Sequence, residues 1–216
     1  MTFRDRREAG QMLAERLTGY RDRSPIVLGL PRGGVVVAYE VARALGAPLD
    51  VIVTRKLGAP HNPEFGFGAV GPGGVRVVDP HTVRMLGLAE DEIEEIAAQE
   101  TRELERRLER YRGDRPMPDL RERAAIVVDD GLATGGTARA AVRVVRGLQA
   151  RSVVLAVPVA PPDTVESLRP EVDEMVCLHA PAGFMAVGQW YYDFGQTSDA
   201  EVIALLERAR EEWGTG

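Results

Sequence analysis

Five apolar runs punctuate the chain: IVLGL (26–30), LDVIVT (49–54), AIVV (125–128), SVVLAVPVA (152–160) and EMVCL (174–178). None alternates polar with apolar positions, so each is predicted to be a strand covered on both faces. Helical patterns separate them. VVVAYEVARALG (35–46) follows the first run, ARAAVRVVR (138–146) the third, and DAEVIALLERAREEW (199–213) closes the chain. Strands alternating with helices predict a parallel sheet joined by right-handed crossovers. The expected fold class is α/β: an open, mainly parallel twisted sheet with helices on both faces.

Between the second and third runs this rhythm breaks. FGFGAVGPGGVRVVD (65–79) has the pattern of a hairpin about a Pro-Gly-Gly turn. EDEIEEIAAQETRELERRLERYRG (90–113) then predicts a long charged helix. Its apolar positions, Ile93, Ile96, Ala97, Leu104, Leu108 and Tyr111, form a narrow stripe, so the helix should lie against the protein along one side. GDRPMPDL (113–120) is the exit linker. One domain over 1–216 is expected, with 58–123 inserted as a flap or arm, or as a dimer contact.

Composition narrows the class. The 216 residues suffice for one α/β domain, and a net charge of −6 gives no electrostatic footprint for nucleic acid. No apolar run approaches the ~18 residues of a membrane span, and the amphipathic N-terminus lacks the apolar stretch of a signal peptide. The lone Cys177 sits within an apolar run and is expected in the core. A cytoplasmic protein is the expectation. Lys56 is the sole lysine among 27 basic residues. Where a coding bias has replaced every other lysine, a retained one suggests a position that needs a compact ammonium.

The third run ends on Asp129 and Asp130 and passes through GLATGGT (131–137) into a helix. In such sheets ligands bind beyond the carboxyl ends of strands. A glycine loop opening a helix offers free amides and the positive end of a dipole to an anion, with Thr134 and Thr137 as hydroxyl donors. The loop is neither of two common phosphate loops. Gly136 stands where the P-loop pattern needs lysine, and the spacing fails the dinucleotide fingerprint. Two carboxylates ahead of a phosphate loop suit a sugar phosphate, the acids accepting from vicinal hydroxyls. PRGG (31–34), after the first strand, is a second loop whose glycines let backbone approach a ligand.

VVDDGLATGGT (127–137) resembles the phosphoribosyl pyrophosphate signature of type I phosphoribosyltransferases. The resemblance extends over residues 24–60 and 124–195, through PRGG, Lys56 and the Phe194–Asp199 ending FGQTSD, which also marks bacterial members of unassigned substrate. It implies a phosphoribosyltransferase that transfers the phosphoribosyl group to a nitrogenous base with Mg²⁺. By it Asp129 and Asp130 would bind the ribose hydroxyls, and Ala133, Thr134, Gly135, Gly136 and Thr137 the 5-phosphate. Arg32, Gly33, Gly34 and Lys56 would hold pyrophosphate, making Arg32, Lys56, Asp129 and Asp130 the catalytic group. Phe184, Val187, Trp190 and Tyr191 would stack on the base, and Asp193 would help hold the metal.

The departing pyrophosphate and the positive charge growing on ribose call for electrostatic stabilisation rather than a covalent intermediate. Mg²⁺ keeps waters and substrate oxygens, so no dense ligand cage is expected, and His61, His81 and His179 are too scattered for one. Ala133 stands where 6-oxopurine enzymes of the family carry an aspartate, which argues against hypoxanthine or guanine as acceptor. Glu64 is a candidate flap carboxylate. The partners expected are phosphoribosyl pyrophosphate and a small base, without nucleic acid or membrane, in a possible homodimer. Two other readings stand beside the transferase: a nucleotide-sensing regulator without turnover, and a sugar-phosphate hydrolase.

Overall fold

A computed structural model describes residues 1–60 and 62–214, apart from the side chains of Pro63 and Glu64. The candidate residues His61 and Glu64 therefore lie outside what is described. A five-stranded sheet forms the centre, with spatial order β2-β1-β6-β7-β8 and every pairing parallel. Its strands are β1 (Pro25–Gly29), β2 (Leu49–Val51), β6 (Ala124–Val128), β7 (Ser152–Val159) and β8 (Glu174–His179). This is the open α/β architecture that the unbroken apolar runs predict.

Side chains divide strictly between the two faces, as a period of two requires. Val27, Ile126, Val128, Val154 and Ala156 face α1 (Arg6–Leu17), α2 (Gly33–Leu45) and α7 (Asp199–Trp213). Ile26, Leu28, Ala125, Val127, Val153 and Leu155 face α5 (Gly136–Gly147) and α6 (Pro162–Leu168). All five residues of β6 are fully buried, so burial on both faces fixes the height of the loop that follows.

The segment between β2 and β6 makes a second, antiparallel sheet of β3 (Arg55–Ala59), β4 (Asn62–Val70) and β5 (Arg76–Val78). The hairpin about Pro-Gly-Gly is present as β4 and β5. Two expectations change here. The second apolar run is a strand only to Val51: after Ile52 donates to the Gly29 carbonyl at 3.1 Å, the chain leaves the parallel ladder. Arg55 and Lys56 consequently open β3 rather than ending a strand of the central sheet. The departure begins at Arg55, ahead of residue 58.

A short helix, α3 (Pro80–Leu86), precedes the long α4 (Glu90–Arg112). The Glu92 carboxylate accepts from the Ala89 N–H at 2.9 Å and closes the first turn of α4. The stripe of α4 packs as its spacing predicts: Ile93, Ala97, Leu104 and Tyr111 are buried, with Ile96 and Leu108 against them. Its last residue, Arg112, is buried and ties the arm to the sheet edge. Its guanidinium pairs with Asp50 at 3.0 Å and donates to the Val51 carbonyl at 2.5 Å. The Cys177 thiol is half-buried beside the second core layer, and burial raises its pKa.

Candidate active site

Beyond the carboxyl end of β6, the loop from Gly131 to Gly135 leads into α5. Gly135 caps that helix in the left-handed region at φ +76°, where a side chain would be strained and its Cβ would lie 2.9 Å from Thr164. No side chain caps the helix, and among the described residues no hydrogen bond takes the amides of Ala133 to Thr137. Ala133, Thr134, Gly136 and Thr137 are exposed, so the amides of this turn are open to a ligand. The loop is braced from outside, by the Leu132 N–H on the Val159 carbonyl (2.9 Å) and the Thr164 hydroxyl on the Ala133 carbonyl (2.7 Å).

The acidic pair and PRGG meet in space. A Cβ on Gly33 would sit 2.0 Å from an Asp130 carboxylate oxygen, and one on Gly34 would sit 2.9 Å from the Asp129 Cα. Only glycine lets the two loops close on each other. The Leu30 N–H donates to the Val128 carbonyl at 2.9 Å and sets their register. The Pro31–Arg32 peptide is cis. Burial, and then the adjacent Asp130 carboxylate, push the Asp129 carboxyl well above its ordinary range.

Asp130 has a partner that the sequence does not announce. Arg6, the first residue of α1, donates through Nε to Asp130 Oδ2 at 2.7 Å. Its Nη1 donates to the Gly195 carbonyl at 2.7 Å, and its guanidinium lies 3.9 Å from the centre of the Phe194 ring. FGQTSD thus acts from both ends: Phe194 and Gly195 hold Arg6, while Asp199 accepts from Arg110 (2.6 Å) and Tyr111 (2.7 Å) of α4.

The proposed base-stacking set is placed differently from the sequence expectation. Tyr191 is buried against Phe3 and Phe194, and its hydroxyl donates to the Asp130 carbonyl at 2.5 Å. It braces the acidic pair and shows no face to a base. Phe184, Val187 and Trp190 are half-buried in the same small cluster with Phe3 and Val159, and Trp190 meets His179 edge to face. Val187 packs on Gly131, where a Cβ would lie 2.5 Å away. The exposed large apolar side chains of this segment are Met185, Tyr192 and Phe194. Asp193 is exposed and accepts from the Gly195 N–H at 3.0 Å. Among the described residues no three His, Cys, Asp or Glu side chains converge as a metal cage.

From PRGG the crevice continues into a cavity of about 390 Å³. Pro31, Arg32, Thr54 and Thr137 line one side, and Arg107 and Tyr111 of α4 line the other. Lys56 does not line it. It stands exposed on β3, its stem over Gly66, and Arg55 pairs with Glu100 of α4 at 2.6 Å.

This arrangement belongs to a known family: the chain is a member of the phosphoribosyl transferase domain family, whose model matches residues 6–187. Two Mycobacterium tuberculosis proteins, MT0597 and Rv0571c, both provisionally named phosphoribosyl transferases, are each 50% identical over 211 residues. Those residues are 98% of this chain but 48% of each relative, so the chain spans about half the length of the curated relatives it matches. The crystal structure of TT1426 from Thermus thermophilus superposes with a TM-score of 0.90 at 49% identity, covering all of both chains. Among the described residues no helix is long and apolar enough to cross a membrane.

Proposed function

We propose that this chain transfers the 5-phosphoribosyl group of phosphoribosyl pyrophosphate to a nitrogenous base and releases pyrophosphate, as a cytoplasmic enzyme of nucleotide metabolism. The observation that carries the reading is the meeting of an open-amide turn, an acidic pair and a glycine loop at the carboxyl ends of β1 and β6.

In this reading the amides of Ala133 to Thr137 bind the 5-phosphate at the positive end of α5. Asp129 and Asp130 accept hydrogen bonds from the 2- and 3-hydroxyls and so orient ribose C1 toward PRGG. The C1–O bond breaks with its electron pair leaving on pyrophosphate, and a lone pair of the base nitrogen forms the new bond at C1. Any proton on that nitrogen passes to solvent or to the departing pyrophosphate. Backbone amides of PRGG, Arg32 and Lys56 stabilise the charge that leaves, and the carboxylates lie close to the charge that grows on the ribose ring. Mg²⁺ would be held here mainly by substrate oxygens and water, with Asp193 as a candidate protein ligand. When bound it neutralises the diphosphate.

Pyrophosphate release from phosphoribosyl pyrophosphate, screened against a panel of bases with Mg²⁺, tests the proposal. Release that requires one class of base supports it. Release without any base would make the chain a hydrolase, and tight binding without release would make it a sensor.

A further inference from the structure

The long helix α4 carries three arginines, Arg106, Arg107 and Arg110, and all three line the cavity that begins at Pro31 and Arg32. Their spacing explains it, because positions three and four apart share a helix face and the middle arginine lies beside them. Together with Arg32 they bring four guanidinium groups to one void, against the single carboxylate of Asp199.

Two of these cations are already engaged. Arg106 pairs with Glu103 at 2.8 Å, and Arg110 pairs with Asp199 at 2.6 Å. Arg32 and Arg107 make no ion pair among the described residues, and they approach the cavity from opposite walls, the glycine loop and the arm. Both act on the Tyr111 hydroxyl between them, opposing the rise that burial and Asp199 impose on it. Facing like charges across a void raises the energy of the free protein, and a multivalent anion bridging them lowers it. The remaining lining adds donors suited to such an anion: the Thr54 and Thr137 hydroxyls.

We infer that α4 supplies the far wall of a condensed-phosphate site, in which Arg107 and Arg32 clamp the two ends of a diphosphate. The inference rests on the phosphoribosyl reading, since the diphosphate is that of the donor and of the released product. It assigns the arm a chemical task. Arg107 grips the outer phosphate while PRGG holds the one bonded to ribose, so the leaving group departs into a site already lined with positive charge. Arg106 and Arg110 raise the local potential while remaining tied to their carboxylates. Bidentate recognition of a phosphate is what an arginine fork provides and a lysine does not.

The test measures binding of inorganic pyrophosphate and of ribose 5-phosphate separately, by calorimetry, on the wild type, Arg107→Gln and Arg107→Lys. Arg107 is exposed and without an ion pair among the described residues, and unchanged circular dichroism and melting temperature verify that each variant is folded. The expected result is a loss of roughly tenfold or more in pyrophosphate affinity for Arg107→Gln, partial recovery in Arg107→Lys, and unchanged affinity for ribose 5-phosphate. Equal pyrophosphate affinity in wild type and Arg107→Gln would overturn the clamp and leave the phosphoribosyl reading standing. Equal losses for both ligands would also overturn it, placing Arg107 in general charge attraction. Pyrophosphate binding that depends on Arg107, with no binding of ribose 5-phosphate to the wild type, would keep the clamp and remove the phosphoribosyl reading. Binding of neither ligand to the wild type removes both.

Discussion

Arg6 and Asp130, 124 residues apart in sequence, form a 2.7 Å ion pair with only 12% and 15% of their side chains exposed. The carboxylate proposed to receive a ribose hydroxyl is thus already held by a guanidinium on the first turn of α1. That guanidinium also carries the loop ahead of α7 through Gly195 and Phe194.

Arg6→Ala is expected to destabilise the protein by about 3 kcal/mol, because removing one partner leaves a largely buried charge unpaired. Asp130→Asn in the Arg6→Ala background should recover much of that loss. Denaturant unfolding of both single variants and the double variant gives the coupling. Strictly additive losses would show that the pair is not an energetic unit.

Asp129 links stability to pH. Its carboxyl is raised by burial and by Asp130, so the folded state carries a cost once that group ionises. The cost vanishes below the unfolded value near 3.8, where both states are protonated, and grows as pH rises through the folded value. Asp129→Asn is therefore expected to raise the melting temperature at pH 7, with the difference closing toward a pH of about 3.5. A chain of this size shifts by about 2–4 °C per kcal/mol, which thermal unfolding reads easily. The same variant should weaken phosphoribosyl pyrophosphate binding. An unaltered or lower melting temperature at pH 7 would contradict the burial argument.

Gly33→Ala and Gly34→Ala probe the closure of the two loops. The added methyl on Gly34 meets the backbone of Asp129, which cannot swing aside, whereas on Gly33 it meets the Asp130 carboxylate and Arg6. Overpacking of this kind costs about 1–3 kcal/mol. Both variants are expected to fold, with Gly34→Ala the less stable and Gly33→Ala losing more ligand affinity relative to its loss of stability. Melting curves with and without ligand separate the two effects.

Lys56 lies outside the cavity wall, so its proposed contact with pyrophosphate requires β3 and β4 to move toward Arg32. Amide hydrogen exchange across 58–75 should slow when phosphoribosyl pyrophosphate and Mg²⁺ are added. Lys56→Arg should cost on the order of 10²-fold in rate. Equal exchange in both states together with a silent Lys56→Arg would make Lys56 a surface residue.

The central sheet was legible because its strands are buried on both faces, and continuous apolar runs report that directly. The phosphate turn was legible because its chemistry is local, with acids, glycines and threonines lying within nine residues from Asp129 to Thr137. What could not be read is what tertiary contact alone decides. RKLGA carries two charges and a glycine and becomes a strand because β4 pairs with it. PHTVRML forms one short helix whose signal is only Asp79 ahead of Pro80. The aromatic residues 184–191 looked like a ligand platform because stacking on a base and packing on Phe3 call for the same side chains. Nothing near Arg6 in sequence points to Asp130.

The backbone at Phe3 and Arg4 runs alongside residues 190–193, with Phe3 N–H on the Trp190 carbonyl, Tyr192 N–H on the Phe3 carbonyl and Asp193 N–H on the Arg4 carbonyl. Seen from the ribosome, residues 3 to 6 are made long before the segment that will hold them. While the central strands are already pairing, the stretch that carries Arg6 has no partner backbone and no aromatic ring to lean on. Joining segments so far apart carries the entropy of closing a very long loop, met only when the sheet beneath has shortened the distance. A chain ending before residue 190 would therefore leave Arg6 without the Gly195 carbonyl and the Phe194 ring that position its guanidinium on Asp130.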